Sequence, residues 1–390
     1  MRPGTIAYKT VNFQKTHGVF LVILIFILSG CGLYSSYRTI SNSDWERFSS
    51  SIPGTPRLEY QHAVPILHLY GTPEEMGRQY GTILQNHLQL IVQTAEKFFT
   101  KKRIKKFISI AEGYRESLPD ETMEFISGMA ETSGINHKYL MAINVVPKIS
   151  CSTLAVWDSA TIDQNLIMGR NADYKLRKIN NFLGIIVVKH PAEGLATVSS
   201  SFLGLAGTFT GINEKGVCYG NMLAYNGYEI KNHKDGLPIQ VLMQLSAERS
   251  SSAREMANDL AASNHVIPVN VMCADRHDAV LIELGQNNFA FRESNNGILA
   301  GSNNFYASGM FKKSRSDKQF TALILNAENH YGDFTLKKMK DAMHAASFKN
   351  KTLQCVIFEP EKMLIHVSMN KVPASKGPFI EFDVNELLKK

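Results

Sequence analysis

Cys-Ser-Thr-Leu-Ala-Val-Trp-Asp, residues 151–158, is the stretch that decides the fold, and Gly-Arg-Asn-Ala-Asp-Tyr, residues 169–174, follows shortly after it. The first stretch is rich in apolar and β-favouring residues, as are Leu166 to Met168. Residues 159–165, between them, are polar enough to form a turn. The pattern therefore predicts a β-hairpin.

The register of this hairpin brings three chemically different side chains together. In an antiparallel pair the numbers of facing residues sum to a constant, so a turn centred near residues 161 and 162 places Cys151 opposite about Ala172. Cys151, Arg170 and Asp173 then meet at one end of the hairpin. A thiol, a fixed cation and a carboxylate at a strand end predict a catalytic site.

Length and composition are those of an ordinary globular protein. With 390 residues, of which 44% are hydrophobic and 20% charged, the chain can bury a large core as one large domain or two. The net charge of +7 indicates a basic surface, but the charge is not clustered enough to argue for nucleic acid. The densest basic run, Lys101 to Lys106, favours a solvated helix face, with contact to anionic lipid as the alternative.

Neither the cysteines nor the histidines have the spacing of a metal site. The five cysteines are widely separated, with no CxxC motif or Cys/His cluster, and the twelve histidines show no metal-ligand spacing. We therefore expect neither a metal nor a cofactor. Cys218, Cys273 and Cys355 lie in apolar, strand-like runs and are expected to be buried core residues.

Residues 1–30 are expected to be a signal peptide. A basic lead precedes the apolar run Val19 to Leu28, which is too short for a transmembrane helix of about 20 residues. The run ends in Leu28-Ser29-Gly30-Cys31, which resembles the bacterial lipobox and implies a lipidated Cys31, palmitate included. An ordinary signal peptide or an uncleaved anchor is the alternative.

The same resemblance implies where the protein is located. Gly32, rather than Asp, follows Cys31, which implies a lipid-anchored protein of the bacterial cell envelope, sorted to the outer membrane. Residues 31–57 are rich in Ser, Tyr and Pro and are expected to tether the folded body to the membrane.

Periodicity divides the body into a mostly helical first part and a later part rich in strands. A strand-like run from Leu58 to Leu69 precedes a helix with Thr72 as N-cap, Pro73 at its first position and Glu75 completing a capping box. Further helices are expected up to residue 99 and at 104–117, 121–133, 138–144, 238–248, 252–263, 316–327 and 335–346. Strands are expected at 182–189, 196–202, 207–212, 217–223, 269–274, 279–284, 289–293, 298–300, 352–358, 363–368 and 379–382. This order suggests two antiparallel sheets between helical layers.

Five stretches in this order carry a resemblance to a known family: Gly71-Thr-Pro-Glu-Glu-Met-Gly-Arg-Gln-Tyr-Gly81, the Cys151 hairpin, Gly211-Ile-Asn-Glu-Lys-Gly216, Gly301-Ser-Asn-Asn-Phe305 and a closing hairpin from Thr352. They resemble the N-terminal-nucleophile (Ntn) hydrolases. The closest branch is the acyl-coenzyme A:6-aminopenicillanate acyltransferase group (peptidase family C45); bile-salt hydrolases, acid ceramidase and N-acylethanolamine amidase are more distant. The resemblance implies an α+β fold, a four-layer αββα sandwich of two antiparallel sheets. Periodicity makes residues 58–150 a mostly helical N-terminal region, whose helices either cover the later sheets or act as a prosegment, and residues 151–390 would be the catalytic region.

The resemblance also implies a mechanism in which the chain cleaves its own Ser150–Cys151 bond. Cys151 would gain a free α-amine, which with an ordinary pKa of about 7.7–8 can act as general base toward its own thiol. Attack on an amide carbonyl would give a thioester, resolved by water or by an acceptor amine. Arg170 would favour the thiolate and Asp173 would orient the α-amine.

Oxyanion stabilisation needs hydrogen-bond donors aimed at the developing negative charge. The resemblance assigns this role to Asn303, with Asn221 as a second candidate, and places a further active-site arginine at Arg315. The structural alternatives are an inert buried thiol at Cys151, a plain ion pair between Arg170 and Asp173, and a turn at Asn303.

The predicted activity is hydrolysis of a linear amide of a small molecule, an N-acyl amine or N-acyl amino acid. Acyl transfer to an amine remains open, because a thioester can meet either nucleophile. A conventional Cys-His enzyme would need His190 or His265 near Cys151, and a non-catalytic envelope lipoprotein on the same fold is the remaining alternative. Trp157 and Tyr174 could line an acyl pocket, although core packing is favoured for both. The oligomeric state is left open.

Overall fold

The computed structural model describes residues 54–62, 64–145, 150–174, 184–224, 236–294, 296–311 and 316–389. Four features expected from the sequence lie outside these ranges: the signal peptide, the lipidation site Cys31, the tether up to residue 53 and the arginine Arg315. In the part of the chain that the structure describes, no helix has the length and apolarity needed to cross a membrane.

The central hairpin has the predicted register. Strand β3 (Ser150–Val156) pairs antiparallel with β4 (Ile167–Asp173), and Cys151 lies opposite Ala172. The connecting turn contains a short 3-10 helix at residues 158–160 and a left-handed residue, Gln164, with φ of 62°. Local sequence therefore predicted the pairing correctly.

The run from Leu58 to Leu69 is two strands rather than one. Strands β1 (Arg57–Gln61) and β2 (Val64–Gly71) form a hairpin in which Leu58 lies opposite Leu67. The turn is made by His62, which adopts φ of 49°. No turn is predicted here from the sequence, since residues 62 and 63 include no Gly, Pro or Asn.

Helix α1 (Pro73–Ile83) begins as the capping-box motif predicts. The Thr72 side chain accepts a hydrogen bond from the Glu75 amide at 3.3 Å, and the Glu75 carboxylate accepts one from the Thr72 amide at 2.8 Å. The other helices of the N-terminal region are α2 (Gln85–Phe98), α3 (Lys101–Glu112), α4 (Asp120–Ser133) and α5 (His137–Val145). Helix α1 packs against α4 and against β2, which joins this helical region to the first hairpin.

The larger sheet takes strands from both parts of the chain. Within the described residues it joins nine strands in the order β1-β2-β5-β6-β7-β8-β9-β10-β11. The strands after β4 are β5 (Gly184–Pro191), β6 (Thr197–Phe202), β7 (Thr210–Asn213), β8 (Cys218–Leu223), β9 (Val269–Ala274), β10 (Ala279–Leu284) and β11 (Phe289–Arg292). Strand β2 runs parallel to β5, with Ile66 beside Ile186, so this sheet is mixed and not purely antiparallel as expected. The N-terminal region therefore contributes two strands as well as helices.

The smaller sheet holds the central hairpin. Its order in the described chain is β12-β3-β4-β13-β14-β15, all antiparallel. The added strands are β12 (Ile298–Gly301), β13 (Thr352–Glu359), β14 (Leu364–Met369) and β15 (Ile380–Asp383). The hairpin is thus flanked by strands from much later in the chain.

Helices cover the outer faces of both sheets. Helix α7 (Ala253–Ala262) packs on β9 and β10 and is joined by α6 (Ile239–Ala247), whereas α8 (Lys318–Glu328) and α9 (Leu336–Ala345) pack on the smaller sheet. A short helix, α10 (Val384–Leu387), follows β15. The two sheets face each other where β3 meets β8 and β10 meets β12. The expected α+β, four-layer αββα sandwich is therefore present.

Candidate active site

Cys151 lies at the start of β3, fully buried between the two sheets. Its Sγ accepts a hydrogen bond from Nη2 of Arg170 at 2.8 Å. The two side chains share one face of the hairpin, because Cys151 faces Ala172, two residues along the same strand from Arg170. The predicted meeting of thiol and cation is therefore found.

Arg170 spans the space between the sheets and is fully buried. Its Nε and Nη2 donate to the backbone oxygen of Asn221 on β8, at 3.3 and 3.1 Å, and Nη2 also lies 3.4 Å from the Asn221 Oδ1. Gly220 makes room for the arginine, since a Cβ there would lie 2.5 Å from Arg170 Cδ. A buried guanidinium needs compensating negative charge, and a thiolate at Cys151 would supply it.

Burial raises the pKa of the Cys151 thiol to about 11. The charge of Arg170 opposes this rise, and the charge of Asp173 adds to it. At neutral pH the thiol is therefore protonated.

Asp173 lies across from Ser150, but its carboxylate does not share the Cys151 face. It is three positions along the strand from Arg170, an odd offset, so the two side chains lie on opposite sides of the strand. Its carboxylate accepts hydrogen bonds from Gln319 Nε2 at 2.7 Å and from the Thr352 hydroxyl. Burial raises the pKa of Asp173 to about 6, against the hydrogen bonds from Thr352 and Gln319. The three residues therefore meet at one end of the hairpin, as expected, but the Asp173 carboxylate lies on the face opposite the Cys151 thiol and Arg170.

Asn303, just after β12, contacts the backbone of Cys151. Its Oδ1 accepts a hydrogen bond from the Cys151 amide at 3.0 Å, and its Nδ2 donates to the backbone oxygen of Leu223 at 2.6 Å. The two partners fix the orientation of the Asn303 side-chain amide. The Cys151 N–H requires the amide oxygen as its acceptor, and the Leu223 carbonyl requires the amide nitrogen as its donor. Asn303 therefore holds the Cys151 nitrogen, and only its second Nδ2 hydrogen could serve an oxyanion.

Asn221 contacts the site as an acceptor. Its backbone and side-chain oxygens both face Arg170, so its observed contacts hold the guanidinium. The oxyanion role expected for Asn221 stays a prediction. Arg315 lies outside the described residues.

Four polar residues that sequence reasoning missed surround this centre. Gln319 and Thr352 hold the Asp173 carboxylate, while Asp317 and Asn270 contact the residues on either side of Asn303. Asp317 is the N-cap of α8, a position that the helix-start pattern could have revealed. The other three come together only through tertiary packing.

The histidines of the Cys-His alternative lie elsewhere. His190 is on β5, its ring stacked on Tyr70 with centroids 4.4 Å apart. Three strand spacings separate β5 from β8, about 14 Å. This spacing places His190 beyond hydrogen-bond reach of Asn221 and of the arginine that Asn221 holds. His265 lies in the segment before β9 and is paired with Leu237 through an isolated parallel β-bridge.

The remaining predicted residues belong to the core. Trp157 is buried, and Tyr174 is half-buried against the same apolar cluster. Cys218, Cys273 and Cys355 are buried free thiols, as predicted. Among the described residues, no three His, Cys, Asp or Glu side chains are grouped so that they could hold a metal ion.

Comparison with known proteins identifies relatives. Two proteins of Dictyostelium discoideum match: protein dcd1B is 27% identical over 228 residues, covering 50% of this chain and 45% of the relative, and protein dcd1A is 24% identical over 261 residues, covering 57% and 56%. The chain thus spans about half the length of these relatives.

Solved structures with partial similarity include an N-acylethanolamine-hydrolyzing acid amidase ortholog from Caenorhabditis elegans, at 18% identity and a TM-score of 0.44, covering 54% of this chain and 93% of that one. A conjugated bile acid hydrolase from Clostridium perfringens has 14% identity and a TM-score of 0.42, covering 60% and 93%. A penicillin V acylase from Agrobacterium tumefaciens has 11% identity and a TM-score of 0.44, covering 60% and 87%.

A family model described as acyl-coenzyme A:6-aminopenicillanic acid acyl-transferase matches residues 160–371. The match begins after Cys151 and includes Arg170, Asp173, Asn221 and Asn303. It covers more than half of the chain, in agreement with the resemblance drawn from the motifs. The chain therefore belongs to the acyl-coenzyme A:6-aminopenicillanic acid acyl-transferase family.

Proposed function

We propose that this chain is a cysteine Ntn hydrolase that cleaves its own Ser150–Cys151 bond and then hydrolyses a linear amide of the N-acyl amine or N-acyl amino acid type. The observation that carries the proposal is the pair of contacts at Cys151. Its Sγ meets a buried guanidinium at 2.8 Å while its nitrogen is held by Asn303 at 3.0 Å. Both atoms that the chemistry uses are thus held by buried side chains.

Processing is an acyl shift from nitrogen to sulfur. The Cys151 sulfur attacks the carbonyl carbon of Ser150, the carbon–nitrogen bond breaks, and the thiol proton ends on the departing nitrogen. Water then hydrolyses the thioester, leaving a carboxylate on Ser150 and a free α-amine on Cys151. Asn303 supports this step because its Oδ1 can accept a hydrogen bond from the nitrogen both before and after cleavage.

Turnover uses the new amine as the base. A buried thiol with a pKa of about 11 needs such a base, and an α-amine ordinarily titrates at about 7.7–8. The amine takes the thiol proton, and Arg170 stabilises the thiolate by its charge. The thiolate attacks the substrate amide, the amine product leaves with the proton, and water resolves the acyl-thioester.

Acyl transfer is the second candidate, because the matched family model is described as an acyl-transferase. In that case an amine rather than water would attack the thioester. Adding hydroxylamine to the reaction distinguishes acyl transfer from hydrolysis, because hydroxylamine is an amine acceptor. Efficient hydroxamate formation at the expense of free acid favours transfer, and unchanged release of free acid favours hydrolysis.

Intact mass and N-terminal sequencing of the purified protein provide the first test. A fragment beginning at Cys151 is expected, together with release of coumarin from fluorogenic N-acyl aminocoumarins of increasing chain length. Cys151→Ala should abolish both reactions, whereas the matched control Cys218→Ala, another buried thiol, should retain both. A chain that stays uncut, or a Cys151→Ala variant that still cleaves the amide, would contradict the proposal. An inactive, uncut wild type favours the non-catalytic alternative.

We also propose attachment to the outer membrane through a lipidated Cys31, on the basis of the lipobox-like sequence alone. Labelled palmitate should be incorporated into the wild-type protein and not into Cys31→Ala. The variant should also leave the membrane fraction. Equal labelling of the two proteins would exclude Cys31 as the acceptor.

A further inference from the structure

Both neighbours of Asn303 in the chain are tied to one carboxylate oxygen. Oδ2 of Asp317 accepts hydrogen bonds from the Ser302 hydroxyl, from Asn304 Nδ2 at 2.6 Å and from the Tyr306 hydroxyl at 2.9 Å. Its Oδ1 accepts the Phe320 amide at 3.0 Å as the N-cap of α8. One aspartate therefore fixes the loop to the rigid start of a helix.

A second side chain ties the backbone on both sides of the same residue. Asn270, fully buried on β9, donates from Nδ2 to the backbone oxygens of Ser302 and Asn304, at 2.9 and 2.8 Å. Asp317 holds the side chains of Ser302 and Asn304, and Asn270 holds the backbone oxygens of the same two residues. The backbone at Asn303 is therefore fixed from two directions. We call Asp317 and Asn270, with these contacts, the Asn303 clamp.

The Asp317 carboxylate is suited to this role because it remains ionised. Burial alone would raise its pKa, but hydrogen bonds from Phe320, Ser302, Asn304 and Tyr306 hold the pKa of Asp317 below its ordinary value. An ionised carboxylate is acceptor-only, so it can receive all of these donors at once. An asparagine amide in its place would carry an NH2 group where the carboxylate has one of its oxygens, so a donor would face other donors.

We propose that Asp317 and Asn270 are positioning residues for the nucleophile, acting by holding Asn303 against the Cys151 nitrogen; this inference rests on the proposed function. A free asparagine side chain can rotate about two bonds, whereas the reaction needs its oxygen at one place. The clamp removes the motion of the backbone that carries it, and the Leu223 carbonyl fixes the amide itself. Neither clamp residue is required to touch the substrate.

The test replaces Asp317 with asparagine, which keeps the size of the side chain and removes its charge. Cleavage during cell-free synthesis should slow by about 10- to 100-fold, and kcat on the fluorogenic amide should fall similarly, with KM changed by less than about twofold. Asp341→Asn is the matched control, an exposed carboxylate on α9 paired with Lys337 at 3.2 Å, and should behave as wild type. Tyr306→Phe removes a single donor and gives a milder loss, should Asp317→Asn fold poorly.

Coupling to Asn303 distinguishes positioning from general stability. In an Asn303→Ala background, neither Asp317→Asn nor Asn270→Asp should lower activity further, because the residue they hold is gone. Equal fold losses in the two backgrounds would overturn the proposal.

Hydrogen exchange tests the clamp without requiring activity. In the uncut Cys151→Ala chain, the amide of residue 151 should exchange at least about tenfold faster when Asp317→Asn is added, and not when Asp341→Asn is added. Unchanged exchange refutes the clamp. An uncut, inactive wild type whose residue 151 amide still depends on Asp317 refutes the proposed function and retains the clamp.

Discussion

Replacing Gly220 with alanine displaces Arg170 without touching any atom of the reacting groups. The added Cβ would lie 2.5 Å from Arg170 Cδ and 3.2 Å from its Nε, whereas ordinary contacts begin at 3.4 Å. The arginine stem must therefore move by about 0.9 Å, the difference between 3.4 and 2.5 Å. Since both sheets surround it, the guanidinium has to shift relative to Cys151 and Asn221.

The structure sets the size of the expected effect. Overpacking of a buried site costs about 1–3 kcal/mol, partly offset because alanine is about 0.5–1 kcal/mol better than glycine within a strand. The melting temperature should thus fall by a few degrees only. Misplacing a group at the reacting atoms by about 1 Å can lower the rate about 100-fold, so cleavage at Cys151 should slow far more than stability changes.

The assay follows the appearance of the Cys151 fragment by mass spectrometry, beside thermal unfolding by circular dichroism. Gly113→Ala is the control, at the C-terminal end of α3, where an added Cβ meets its nearest atom at 3.3 Å. It should alter neither measurement appreciably. If Gly220→Ala is cleaved at the wild-type rate, the position of Arg170 does not set the reactivity of Cys151, and the reasoning fails.

Three further outcomes are expected. Arg170→Met should raise the pKa of the Cys151 thiol by about 1–3 units, and so slow its alkylation by iodoacetamide at pH 8 by at least about tenfold; an unchanged rate would exclude the charge effect. After cleavage the two fragments should co-elute in gel filtration and separate only in denaturant, because β2 pairs with β5; separation in plain buffer would contradict this. Asp173 has a folded-state pKa of about 6, above its ordinary 3.8, so its protonated form favours folding. As the pH rises from about 4 to 6, the free energy of unfolding of the wild type, measured by urea titration, should fall by up to about 3 kcal/mol relative to that of Asp173→Asn. An equal change in the two proteins would refute this.

Local patterns predicted most of the elements and the register of the central hairpin. Cys151 and Ala172 pair as expected because a turn between adjacent strands fixes which residues face each other. The capping box before α1 was equally local. The start of β2 was missed because the turn at His62 carries no turn residue, and its parallel pairing with β5 joins segments more than a hundred residues apart.

Arg170 and Asn303 both contact Cys151, and the catalytic roles expected for these residues stay predictions. Alternation along β4 places the Asp173 carboxylate on the face opposite Arg170, a detail that the sequence alone could have shown. The contacts of Asn303 with Leu223 and Cys151 depend on two sheets facing each other, which no local pattern encodes. Gln319 and Asn270 were missed for the same reason.

The strand order of the smaller sheet places a limit on when Cys151 can react. Its hairpin is flanked by β12 and β13, which end at Gly301 and Glu359, so the ribosome must have released most of the chain before the flanking strands can join it. Arg170, moreover, gains its partners only when β8 is in place. On the proposed function, we therefore expect Cys151 to react only in chains in which β8, β12 and β13 are in place, so nascent and truncated chains should stay uncut.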